Sequence, residues 1–159
     1  MVKAINNLKS AGADFVVIPC NSAHYFLKEI LEKTDIPILD MIEESAGYIS
    51  KKGVKKIGLL SNFVPHELFK KTFARKGIQI IIPNSQEQVA RAIEEVKLGH
   101  NELARDIIFD MVSELEVQAI LVGCTELSII LKDVNLSIPV YDTSKILAEV
   151  TVKIAKGET

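Results

Sequence analysis

The chain has 159 residues, 48% of them apolar and 25% charged, with a formal net charge of −2 at neutral pH. That composition supports a buried core and excludes a disordered chain, and near-neutrality argues against a dedicated nucleic-acid or anionic-membrane surface. No apolar run reaches the ~18 residues of a membrane span, and the opening residues lack a signal peptide's basic-then-apolar layout. The expectation is a cytoplasmic protein whose two cysteines are free thiols.

In chain order, helix and strand alternate. Val2, Ile5, Leu8 and Ala11 recur at helical spacing and stop at Gly12. Phe15-Val16-Val17-Ile18 has the continuous apolar character of a strand buried on both faces. A single helix is expected from there to about Lys33, then a strand at Ile36-Pro37-Ile38-Leu39. Asp40, with Glu43 three places on, reads as an N-cap and capping box for a helix ending before Gly53. Ile57-Gly58-Leu59-Leu60 and residues 78–82 are the next strands, with Pro65 suited to the first turn of the helix between them. Two helices parted at Gly99 follow, then strands at Ala119-Ile120-Leu121-Val122 and Ile138-Pro139-Val140-Tyr141. A final helix runs from Thr143 to about Lys156. Single strands separated by helices imply an α/β fold of doubly wound, flavodoxin-like parallel sheets.

The chain repeats itself about its cysteines. Phe15-Val16-Val17-Ile18-Pro19-Cys20-Asn21 matches Ala119-Ile120-Leu121-Val122-Gly123-Cys124-Thr125 in pattern, and Ile36-Pro37-Ile38-Leu39-Asp40 matches Ile138-Pro139-Val140-Tyr141-Asp142. Two pseudo-symmetric halves follow: a partial first lobe over residues 1–53 carrying Cys20, and a second over 54–142 carrying Cys124. The helix at 143–156 is available to pack on the first lobe.

Ligand crevices of parallel sheets lie beyond the carboxyl ends of the strands, where both cysteines stand. Each also opens a helix, whose unpaired N–H groups favour a thiolate and should lower the thiol pKa. Two thiols facing a small substrate from opposite sides could remove a proton from one face of a carbon and deliver one to the other. A lone cysteine is more often an inert core residue; two at equivalent strand ends point to chemistry.

Ile18-Pro19-Cys20-Asn21-Ser22-Ala23-His24 and Val122-Gly123-Cys124-Thr125-Glu126-Leu127 resemble the paired signatures of the aspartate/glutamate/hydantoin racemases. Glu126 after Thr125, and the stretch from Gln86 through Lys97-Leu98-Gly99 to Ala104, are similar to the aspartate racemase branch. The resemblance implies racemisation of an acidic amino acid without pyridoxal phosphate, metal or other cofactor, with Cys20 and Cys124 as the acid/base pair. It further implies that Asn21, Ser22 and Thr125 bind the substrate's carboxylate or amine, and that Lys97 pairs with a substrate carboxylate. His24 would tune the first thiol and Glu126 orient the second.

Proteins of that pattern usually begin with a strand, a Gly-Gly-Met-Gly-Pro-like turn and a carboxylate-binding arginine, whereas this chain starts in the helix before Cys20. Its first strand therefore lacks its expected neighbour, and a second subunit in a homodimer, or additional chain, is expected to cover that edge. Where the pattern has Ala-Thr-x-Gly-Thr, this sequence reads Ser61-Asn62-Phe63-Val64-Pro65, with Ser61 and Asn62 as substitute donors and Phe63 bulky. Ser22 replaces a more usual threonine. The alternative reading is a shortened, catalytically silent homologue that binds a carboxylate or serves in assembly. His66 and His100 lack metal-ligand spacing with either cysteine, and no phosphate-binding glycine motif follows a strand.

Overall fold

The computed structural model describes residues 1–62, 66–132, 134 and 136–158. Phe63, Val64 and Pro65, and with them the expected proline in a first helical turn, lie outside the described residues.

Two parallel sheets form, as the alternation requires. The smaller pairs β1 (Val16–Val17) with β2 (Ile38–Leu39). The larger contains β3 (Lys56–Leu60), β4 (Gln79–Ile81), β5 (Ala119–Val122) and β6 (Val140–Asp142) in the order β4-β3-β5-β6. The internal repeat is reproduced in strand register. Val16 pairs with Ile38 and Val17 with Leu39; the equivalent Ile120 pairs with Val140 and Leu121 with Tyr141. Even the lead-in bond recurs, Val16 N–H donating to the Pro37 carbonyl (2.8 Å) and Ile120 N–H to that of Pro139 (2.9 Å).

Side chains alternate across β5, so the large sheet is buried on both faces. Ala119 and Leu121 join a core with Ile42, Ala46 and Ile49 of α3 (Met41–Ser50), Phe69 and Phe73 of α4 (His66–Arg75), and Ile146 of α8 (Thr143–Ala155). Ile120 and Val122 face the opposite core, built by α5 (Gln86–Lys97), α6 (Asn101–Ser113) and α7 (Thr125–Leu131). Gly99, at φ +84°, turns the chain between α5 and α6 in a conformation that side-chain-bearing residues avoid. The small sheet has a separate, smaller core: Ile5 of α1 (Val2–Ser10), Val16, Ile36, and Ile30 of α2 (Leu27–Leu31). The closing helix α8 packs along α3. No helix among the described residues is long and apolar enough to cross a membrane.

One element differs from the sequence reading. The single helix expected after Cys20 is instead a 3-10 helix over Asn21–Phe26 followed by the short α2. The cause is the Cys20 carbonyl. It accepts Ala23 N–H at 3.1 Å, closing a tight three-residue turn, and also the imidazole of His24 at 2.9 Å.

The cap at Asp40 forms, its carboxylate accepting Ile42 N–H (2.9 Å) and Glu43 N–H (3.1 Å). Glu43 does not complete a capping box, because its carboxylate pairs with Arg75.

Candidate active site

A cavity of about 160 Å³ lies between the lobes, lined by Cys20, Asn21, Ser22, Asn62, Gly123, Cys124, Thr125 and Glu126. That is about five water volumes at ~30 Å³ each, suited to a small metabolite and far below the needs of a nucleotide. Each thiol arrives on its own βα turn: Cys20 is the extended N-cap residue of the 3-10 helix, and Cys124 is that of α7. Cys20 is exposed and Cys124 half-buried.

Gly123 explains how the second turn closes so tightly. A Cβ there would stand 2.9 Å from Leu59 Cδ1 and 3.0 Å from Ser61 Cβ. The latter is fixed to the backbone at the strand end, so any larger residue would force this turn and the end of β3 apart.

The two thiols sit in different environments. Cys124 Sγ–H donates to Glu126 Oε2 at 3.0 Å, and the Thr125 hydroxyl donates to the same oxygen at 3.1 Å. Burial, and then the neighbouring carboxylate, push the Cys124 thiol up to about 12. The thiol's hydrogen bond in turn holds Glu126 below its usual range, with the Thr125 hydroxyl and the Lys97 charge adding to it. This corrects the expectation that a helix start lowers this thiol's pKa. A seven-residue helix cannot offset desolvation plus a facing anion, so the resting pair is a thiol and a carboxylate.

Asn21 is buried, 4% exposed, and its amide works as a bridge between the lobes. Its Nδ2 donates to the Gly123 carbonyl (3.1 Å) and to the Thr143 hydroxyl (2.9 Å), while its Oδ1 has no partner among the described residues. Ser22, Asn62 and Thr125 are exposed on the cavity wall.

Three residues expected at the site lie off the cavity wall. Ser61 is buried beneath it at the end of β3, its hydroxyl without a partner among the described residues. Lys97 is ion-paired with Glu94 at 2.8 Å and exposed, its charge still felt at Glu126 and Cys124. His24 does not address the thiol. Its Nε2 accepts the Met41 N–H at 3.0 Å, so its hydrogen sits on Nδ1 and goes to the Cys20 carbonyl, and the ring ties the Cys20 turn to α3.

Sequence reasoning passed over Thr143, which grips Asn21 from the start of α8. The available signal was its place directly after Asp142, just as Met41, which grips His24, directly follows the repeated Asp40.

The architecture defines a class: an α/β protein with two parallel sheets, each bringing one cysteine to the same small cavity. Comparison with known proteins then gives the family. The Asp/Glu/Hydantoin racemase model matches residues 1–151, and the chain belongs to that family. Its fold superposes on an aspartate racemase of Picrophilus torridus with TM-score 0.85 and 32% identity, covering 98% of this chain and 69% of that one. An aspartate racemase homologue from Pyrococcus horikoshii OT3 gives TM-score 0.82 at 26% identity, covering 98% and 72%. A broad specificity amino-acid racemase of Bacillus subtilis is 26% identical over 151 residues, 91% of this chain and 66% of that protein. The chain thus spans just under two thirds of the length of this curated relative.

Proposed function

We propose that the protein racemises a small acidic amino acid, aspartate or a close relative, through Cys20 and Cys124. The observation that carries this reading is a cavity of about 160 Å³ lined by both cysteines. Cys20, entering the step as the thiolate, takes the α-hydrogen as a proton from one face and becomes the thiol, leaving the C–H electron pair on the α-carbon beside the carboxylate. Cys124, resting as a thiol, delivers its proton to the opposite face and keeps the S–H electron pair as a thiolate. The reverse direction starts from the state this leaves, with Cys124 as the thiolate and Cys20 as the thiol, and runs the same two proton transfers backwards. Asn21 Oδ1 accepts from the substrate amine, Ser22, Asn62 and Thr125 meet the carboxylates, and Lys97 biases the cleft toward anions. Ser61 and His24 support the two turns from behind.

An acidic substrate is favoured by the likeness to the Picrophilus torridus protein. We also place the protein in the cytoplasm as a homodimer. Among the described residues β1 pairs only with β2, and Tyr25, Phe26 and Leu31 are exposed on the same lobe. Sedimentation at micromolar concentration should return a dimer, and a monomer removes that part of the reading.

The test of the chemistry is exchange of the α-hydrogen of L-aspartate with solvent deuterium, followed with loss of optical rotation. Cys20→Ser and Cys124→Ser should each lower inversion by at least roughly a hundredfold. Wild-type-like racemisation by either variant sinks the two-thiol mechanism.

A further inference from the structure

Asn21 Nδ2 carries two hydrogens, and both are committed to groups that cannot donate back. One goes to the Gly123 carbonyl at 3.1 Å. The other goes to Thr143 Oγ1 at 2.9 Å, and this hydroxyl has already spent its own hydrogen on the Val122 carbonyl at 3.0 Å. A hydroxyl has one hydrogen to give, so toward Asn21 it presents only a lone pair. Rotating the amide by half a turn would set Oδ1 against two acceptors at once. The amide therefore has one allowed orientation, fixed by Thr143, which is 1% exposed, and by the Gly123 carbonyl just before Cys124. What remains is Oδ1: a buried acceptor, without a partner among the described residues, on a residue that lines the cavity. An unpaired buried carbonyl is costly until a donor reaches it.

We infer that Thr143 is a positioning residue for amine recognition, holding Asn21 so that the cleft selects ligands with an N–H donor over equally anionic ligands without one. The inference rests on the racemase reading for the kind of ligand, and it goes further by naming what discriminates an α-amino acid from its des-amino analogue. Thr143 touches no reacting atom; it acts through Asn21.

The experiment compares binding of L-aspartate with succinate, and of L-glutamate with glutarate, by titration calorimetry on the whole chain. The wild type should prefer the amino acid in at least one pair. Thr143→Val keeps the volume and removes the hydroxyl, leaving the amide held by the Gly123 carbonyl alone, and should narrow that preference by roughly tenfold. The loss should fall on the amino acid, with the des-amino ligand little changed. Thr143→Ser keeps the hydroxyl and should restore the wild-type ratio. Should Thr143→Val fail to give a cooperative melt, Thr143→Cys, a far weaker acceptor of similar size, carries the comparison.

The inference is overturned by a folded hydroxyl-free variant with the full preference, or by equal losses for both members of a pair. It is equally overturned by a wild type that binds both members alike or binds neither. Because this readout is binding, it separates from the racemase reading. Amine preference without α-deuterium exchange would remove the racemase reading and leave Thr143 its role.

Discussion

At the residue scale the asymmetry between the thiols decides most. Cys124 is held protonated by burial and by a carboxylate that accepts its hydrogen, the state in which the proposed reaction would use it as the acid. The same environment has a consequence for stability. The folded-state pKa of this thiol, about 12, lies above its ordinary 9.0. Its contribution is therefore fully present below the unfolded value and is lost as pH rises through the folded one, because the unfolded chain ionises first. Urea midpoints of the wild type should fall more between about pH 8 and about pH 11 than those of Cys124→Ser, which has no thiol there to ionise. Lysines and tyrosines titrate in the same range but are common to both proteins, so the difference isolates Cys124. Parallel curves would mean that the thiol is no harder to ionise folded than unfolded.

At the element scale, what was legible in the sequence is what local chemistry decides. The run Ala119-Ile120-Leu121-Val122 is a strand to the residue, because four buried apolar side chains in a row need a sheet covered on both faces. Asp142 caps α8 by accepting Ser144 N–H at 2.7 Å and Lys145 N–H at 3.4 Å. Asp142→Ala should cost about 1 kcal/mol and lower the melting temperature by about 3 °C, while Asp142→Asn, which still caps, should cost far less. An alanine variant melting with the wild type would show that the cap contributes nothing.

The parts the sequence did not reveal depend on partners far along the chain. The 3-10 helix at Asn21–Phe26 follows from a ring bridging Cys20 and Met41, and Asn21 is captured by Gly123 and Thr143 more than a hundred residues away. Neither leaves a trace in local periodicity. The cysteines were legible because their motif is duplicated. The raised pKa of Cys124 was not, since it depends on burial and on the rotamer of Glu126.

At the scale of the whole molecule the two lobes repeat one register on very unequal foundations. Val16 and Ile120 occupy equivalent positions and donate matching hydrogen bonds to Pro37 and Pro139. Ile120 lies on a strand flanked by β3 and β6 with helices over both faces, whereas Val16 belongs to a two-stranded sheet over a four-residue buried core. Local opening should therefore be far cheaper in the first lobe. Native-state hydrogen exchange should find the Val16 amide at least a hundredfold less protected than that of Ile120, a gap of roughly 3 kcal/mol in opening free energy. The cleft lies between the lobes, so opening the first one releases a bound ligand. A ligand at about a hundred times its Kd should then raise Val16 protection by about 2.7 kcal/mol. Equal protection of the two amides without ligand would mean that Asn21 welds the lobes into one cooperative unit, and the cleft would then have to fill and empty without help from the smaller lobe.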